Sequence, residues 1–202
     1  PQLARDFYAA RHFQPAWLNL YQPKPVADQL IRVLQQAESE GLRSEEYHLK
    51  DIQTRVRLLR EQVSNGVPSA AWNETAAGLD LFLTDAFFLY TEHLLNGRID
   101  PSGLDVKFPG SSQPFRHAAF LEQTLSRGQL AQDVAALSMT HPAYRELKSA
   151  LAHYHLLASQ MGHLVLAASP PLRLGDRDPR RLPVLRVKLG LLGDLPQVTA
   201  KD

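Results

Sequence analysis

The sequence has no cysteine among its 202 residues. That excludes a disulfide, a thiolate metal site and a thiol nucleophile within these residues. It has no uninterrupted run of about 18 apolar residues, so no segment reads as a membrane-spanning helix. It has no charge imbalance either: 22 Lys+Arg stand against 21 Asp+Glu, a net charge of +1. Such a balance gives no electrostatic basis for nucleic acid as a partner. Alternating runs of β-branched residues are missing, which removes the main signal for strands. There is no G-x-S-x-G elbow and no glycine-rich phosphate loop. Leu174-Gly175-Asp176-Arg177-Asp178 alternates its charges but lacks the spacing and terminal Glu of a calcium loop. No cofactor or metal is expected.

What is present is a chain of 44% hydrophobic and 21% charged residues, the balance of a folded globular protein. A chain of this length buries about 70% of its unfolded surface and needs no covalent staple. The charge is unevenly placed. Residues 1–169 hold 15 basic and 17 acidic side chains, and residues 170–202 hold 7 and 4, so the tail is slightly basic. The first residues, Pro1-Gln2-Leu3, lack an initiator Met, and Lys201-Asp202 follow closely on a helical pattern. Both ends are therefore expected to be cut, with an export signal or a catalytic domain outside them.

Helical periodicity runs through the chain. A short helix is expected over 3–12, followed by an extended Gln14-Pro15-Ala16-Trp17-Leu18, because proline disfavours helix in the residue before it. A second helix starts near Pro25 or Val26, with Leu30, Val33, Leu34 and Ala37 on one face and Gly41 at its left-handed end. Ser44 is placed to cap the next turn. Leu49, Ile52, Val56, Leu59 and Val63 then repeat at 3-4-3-4 spacing, and Asn65-Gly66 with Pro68 stops them. The helix over 74–96 is apolar almost all round, as a buried central helix must be. A loop over 98–114 follows, then helices near 115–127 and 130–138. The last long helix has Pro142 in its first turn and a seam of Tyr144, Leu147, Leu151, Tyr154, Ala158 and Met161. Ser169-Pro170-Pro171 is a stiff break, and a final helix covers about 183–192. The fold class is all-α: an irregular multi-helix body over 1–168 around the central helix, then 169–202 as a linker and the first helix of a truncated second module.

Candidate chemistry is sparse. Asp80, Thr84 and Thr91 share a stripe of the central helix, with Asp85 and Glu92 on a neighbouring one. Asp85 and Glu92 would lie about 10 Å apart along the axis, too far for a retaining carboxylate pair. A stripe bonding to neighbouring loops is the simpler reading, because buried charge without a partner is rare. His153 and His155 point to different helix faces, and no pair of histidines has metal-ligand context. Trp17, Tyr21 and Trp72 could stack on sugar rings, but tryptophans more often lock a loop to a core. Arg173, Arg177, Arg180 and Arg181 form a basic cluster beyond the Pro-Pro break.

Three segments carry a resemblance. They are Phe7-Tyr8-Ala9-Ala10-Arg11-His12-Phe13-Gln14-Pro15-Ala16-Trp17-Leu18, Leu34-Gln35-Gln36-Ala37-Glu38-Ser39-Glu40-Gly41-Leu42, and Leu81-Phe82-Leu83-Thr84-Asp85-Ala86-Phe87 with Leu95-Asn96-Gly97-Arg98-Ile99-Asp100-Pro101. Together with His141-Pro142-Ala143-Tyr144-Arg145, they resemble the amino-terminal scaffold domain of large bacterial L,D-transpeptidases. Residues 171–179 and 185–195 resemble the opening of the peptidoglycan-binding-like module that follows it. The resemblance implies an exported, periplasmic, Gram-negative cell-wall enzyme whose catalytic Cys forms an acyl-enzyme and builds 3-3 cross-links. This chain lacks that Cys and its motif, so no catalytic residue carries over. The resemblance instead implies a non-catalytic region that positions the catalytic and binding domains of the same chain. Arg173, Arg177, Arg180, Arg181 and Trp17 are the candidates for contact with a neighbouring domain or with peptidoglycan. A stand-alone helical adaptor and a helical glycan-cleaving enzyme are the alternatives.

Overall fold

The computed structural model describes residues 2–19, 22–64, 70–99, 115–138 and 141–196. It is built from helices, as expected. In chain order these are α1 (Gln2–Ala10), α2 (Pro25–Gln35), α3 (Leu49–Ser64), α4 (Ala70–Asn96), α5 (His117–Arg127), α6 (Leu130–Ala135), α7 (Pro142–Met161) and α8 (Arg181–Leu192). Two 3₁₀ turns, Ala37–Glu40 and Ser44–Tyr47, join α2 to α3. Strands are present after all, as a two-residue antiparallel pair: β1 (Leu18–Asn19) and β2 (Gln22–Pro23), with Leu18 opposite Pro23 and Asn19 opposite Gln22. Strands this short leave no alternating pattern to read.

The chain divides into two compact units, Pro1–Tyr144 and Arg145–Asp202. The division falls inside α7, ahead of the Ser169-Pro170-Pro171 break at which the sequence places its boundary.

In the first unit α4 is the axis. Its 27 residues make a rod about 40 Å long. It begins four residues earlier than the periodicity suggests, because Ala70 and Ala71 are strong helix formers and Trp72 is buried within the helix rather than in a loop. Leu79, Leu83 and Phe87 are fully buried, although Leu81 is 53% exposed, so one edge of the rod faces outward. The seam of α3 lies along it, with Leu49, Ile52, Val56 and Leu59 all buried. The side chain of Val63, the stop at Asn65, Gly66 and Pro68, and residues 100–114 of the expected loop lie outside the described residues.

Local signals set the connections. Gly41 takes a left-handed φ of 73°, its N–H reaches Glu38 O, and Leu42 packs back into the core. Ser44 is not a cap: it is the first residue of its 3₁₀ turn, and the extended residue before it is Arg43. Gln29 on α2 fixes the α5–α6 corner, since its amide donates to Gly128 O (2.9 Å) and accepts the Ala131 N–H (3.2 Å). One helix end is strained. α1 closes with Phe13 N–H donating to Tyr8 O (2.8 Å), and both His12 and Phe13 are left-handed, at φ 52° and 58°. Each non-glycine residue in that region costs roughly 1–2 kcal/mol.

In the second unit the seam of α7 is largely unburied. Leu147 is 69% exposed and Tyr154 65% exposed, whereas Leu157, outside the seam, is buried. α8 has no buried residue among those described. Asp178 caps its start, accepting the N–H groups of Arg180 (3.0 Å) and Arg181 (2.8 Å).

Candidate functional site

The polar residues of α4 form the densest bonded cluster, and their partners come from distant parts of the first unit. Asp80 is buried, and its carboxylate accepts three protons: from the backbone N–H of Ala16 (2.9 Å), the backbone N–H of Trp17 (2.8 Å) and the Tyr8 hydroxyl (2.5 Å). Because the single phenolic proton points at Asp80, the Thr84 hydroxyl donates to Tyr8 Oη (2.7 Å). The Trp17 indole N–H in turn donates to Thr84 Oγ1 (2.9 Å). The result is a directed chain, Trp17 to Thr84 to Tyr8 to Asp80, which satisfies a carboxylate that would otherwise be costly to bury. Burial first, and then the adjacent Asp80 carboxylate, push the Tyr8 hydroxyl far above its ordinary range, so it remains a proton donor.

Trp17 is 0% exposed. Its ring packs near Phe87, with centroids 6.1 Å apart, and has no face open to a sugar. It locks the extended segment onto α4, which corrects its candidacy for glycan contact. Trp72 is also buried, and Tyr21 lies outside the described residues.

Asp85 and Glu92 do not converge. Asp85 accepts from His48 Nε2 (3.1 Å), and Glu92 accepts from His117 Nε2 (2.7 Å) and from the Asn96 amide (2.7 Å). The Asn96 amide is the largest influence on the Glu92 carboxyl and holds it below its ordinary value; burial opposes it, and His117 adds to the lowering. His117 is itself buried, and its other nitrogen, Nδ1, meets Thr91 Oγ1 (2.9 Å), so both ring nitrogens are engaged. A general acid needs a free proton-transfer partner at the reacting atom. These carboxylates instead clasp the α3 entry and α5 to α4. His93 is likewise engaged, through Nδ1 with the Tyr47 hydroxyl (2.9 Å). Among the described residues no group of three or more His, Asp or Glu converges as a metal site.

The arginine cluster separates into two roles. Arg181 is half-buried and structural: Nε donates to Asp178 (2.7 Å) and Nη1 to Pro170 O (2.9 Å). Arg173, Arg177 and Arg180 are exposed, with Asp176 and Asp178 interleaved. The Arg181 hydrogen bond keeps the Asp178 carboxyl below its usual range.

Sequence reasoning did not foresee the α2–α3 cleft, a shallow hollow of about 430 Å³ lined by Asp28, Ile31, Val56 and Arg60 among others. Its rim charges pair with each other, Arg60 donating to Asp28 (3.0 Å). No motif marks this cleft, because its lining combines two helices separated by the 3₁₀ turns.

No curated protein and no solved structure matches the chain. One family model does match, over residues 2–151, which span α1 to α6 and the first half of α7. On that match the chain belongs to the Scaffold domain family.

Proposed function

We propose that this chain is the scaffold region of a periplasmic L,D-transpeptidase, a peptidoglycan cross-linking enzyme whose thiol nucleophile lies elsewhere in the same polypeptide. Its work is mechanical: it holds catalytic and peptidoglycan-binding domains in place and performs no bond chemistry itself. The family match over residues 2–151 is the observation that carries the reading. The chemistry of α4 agrees with it. Asp80, Asp85 and Glu92, the acids a hydrolase would use, are each engaged in bonds that join elements of the fold. Arg173, Arg177 and Arg180 would meet a neighbouring domain or the carboxylates of muramyl peptides.

The test is the parent gene together with its activity. A downstream domain with a Cys-containing catalytic motif is expected, and the purified parent protein should form 3-3 cross-linked muropeptides that vanish when that Cys is replaced. A reading frame that stops at residue 202 would refute the proposal.

The exposed seam of α7 favours a second reading, a stand-alone adaptor that binds a protein through Leu147 and Tyr154. The same reading frame separates the two. Muropeptide release by this chain alone, lost in Glu92→Gln, would instead establish a glycan-cleaving enzyme.

A further inference from the structure

The end of α1 holds an aromatic ring where the fold gives it no packing role. Phe13 is 74% exposed, and His12, Gln14 and Pro15 around it are exposed as well. A helix end of this kind normally places glycine at the left-handed position and packs the next apolar residue back on the helix. Here both residues are side-chain-bearing and left-handed, at φ 52° and 58°, and the ring stands outward. Strain of this sort persists only where the surroundings impose it, and it concentrates at ligand-contacting positions.

The surroundings do impose it. Arg11 Nη1 donates to both carboxylate oxygens of Glu122 on α5 (2.5 and 2.6 Å), Nη2 reaches Pro15 O (3.3 Å), and Nε reaches Gln14 O (3.4 Å). On the far side the N–H groups of Ala16 and Trp17 are held by Asp80. The backbone of the turn is thus clamped at both ends, and it carries the Phe13 ring outward.

We propose that Phe13, flanked by His12 and Gln14, is a stacking site for a pyranose ring of an N-acetylhexosamine glycan. A sugar has one apolar C–H face and a rim of hydroxyl groups. An exposed aromatic ring whose chain neighbours carry an imidazole and an amide supplies both kinds of group. A protein hot spot would sit within a wider apolar core sealed from water, and the flanking residues here are polar. One ring and two polar neighbours give an affinity of about millimolar, which a repeating polymer raises through multiple contacts. The choice of sugar rests on the cell-wall reading above; the exposed ring and its left-handed backbone do not.

The experiment titrates the full 202-residue chain, ¹⁵N-labelled, with a tetramer of β-1,4-linked N-acetylglucosamine. Saturable amide shifts confined to residues 11–14 are expected. Phe13→Ala should weaken binding at least about tenfold and leave the rest of the spectrum in place, because the ring is exposed; Phe13→Trp should retain it. Absence of shifts up to the solubility limit, shifts located elsewhere, or unchanged binding by Phe13→Ala would overturn the site. So would self-association of the wild type that Phe13→Ala abolishes, which would assign the ring to a second copy. None of these results bears on the scaffold reading, which stands or falls with the downstream reading frame.

Discussion

Asp80 holds Trp17 by the backbone, accepting its N–H at 2.8 Å, while one turn further along α4 Thr84 accepts the indole N–H of the same residue at 2.9 Å. A single residue of an otherwise irregular segment is thereby fixed to the central helix at two points. The Asp80 carboxylate also holds Ala16 and Tyr8, so removing it strands the two buried N–H groups of Ala16 and Trp17 and leaves the Tyr8 hydroxyl only the Asp80 backbone oxygen (2.9 Å).

Asp80→Ala is accordingly expected to cost about 3–5 kcal/mol, the range for breaking a buried charged network. Asp80→Asn keeps one acceptor oxygen but turns an NH₂ toward an N–H, and should cost about 1–3 kcal/mol. Urea denaturation monitored by tryptophan fluorescence measures both. Equal losses for the two variants would contradict the assigned bonds.

Gly78 sits in the middle of α4, where alanine would be the better helix former by about 0.8–1 kcal/mol. A Cβ there would meet Arg55 Nε at 3.1 Å, and the Arg55 guanidinium lies 4.4 Å from the centre of the Phe82 ring. Gly78→Ala should therefore stabilise the wild type by less than it stabilises Arg55→Ala. The difference should be about 0.5 kcal/mol, the worth of an exposed cation–π contact. A double-mutant cycle in urea reads that coupling directly, and a coupling of zero would remove the explanation for the glycine.

Alkaline stability follows from the tyrosines. Burial pushes Tyr47 up to about 12, with nearby Glu46 adding to the effect, and it raises Tyr8, Tyr90 and Tyr144 as well. A raised folded value means the contribution is complete below the unfolded value near 10 and is lost as the pH climbs through the folded one. Unfolding should thus set in between about pH 10 and 12, with tyrosinate absorbance and helix loss rising together. Full ionisation of the tyrosines with the helices intact would be the opposing result.

Glu92 gives the acid counterpart. Its carboxyl is held low mainly by the Asn96 amide. A lowered folded value contributes stability that is present above the ordinary carboxylate value and lost as the pH falls through the folded one. Asn96→Ala should move the Glu92 titration, followed by carboxyl ¹³C shifts, back toward an ordinary glutamate and shift acid unfolding to higher pH. An unmoved titration would reassign the effect to His117.

The sequence made the helices legible, because 3.6-residue periodicity reports which residues share a face. It did not report what covers that face. The seams at Leu49–Leu59 and Leu147–Met161 have the same spacing, yet the first is buried under α4 and the second stands largely open. The polar stripe Asp80, Thr84 and Thr91 was visible, and so was the reading that it bonds to neighbouring segments. Its partners were not, since Tyr8 lies 72 residues from Asp80 and no local pattern links them. Trp72 was misplaced outside its helix for a similar reason: two preceding alanines carry no periodic signal. The strained turn at His12 and Phe13 left no mark in the sequence at all, because side-chain identity there opposes the conformation adopted.

The tethers that converge on α4 also set an order for synthesis. Trp17 leaves the ribosome 67 residues before Thr84, its indole partner. At elongation rates of about 5–20 residues per second, that is a wait of roughly 3–13 s. Through that interval the Trp17 indole lacks the hydroxyl acceptor it meets in the finished fold.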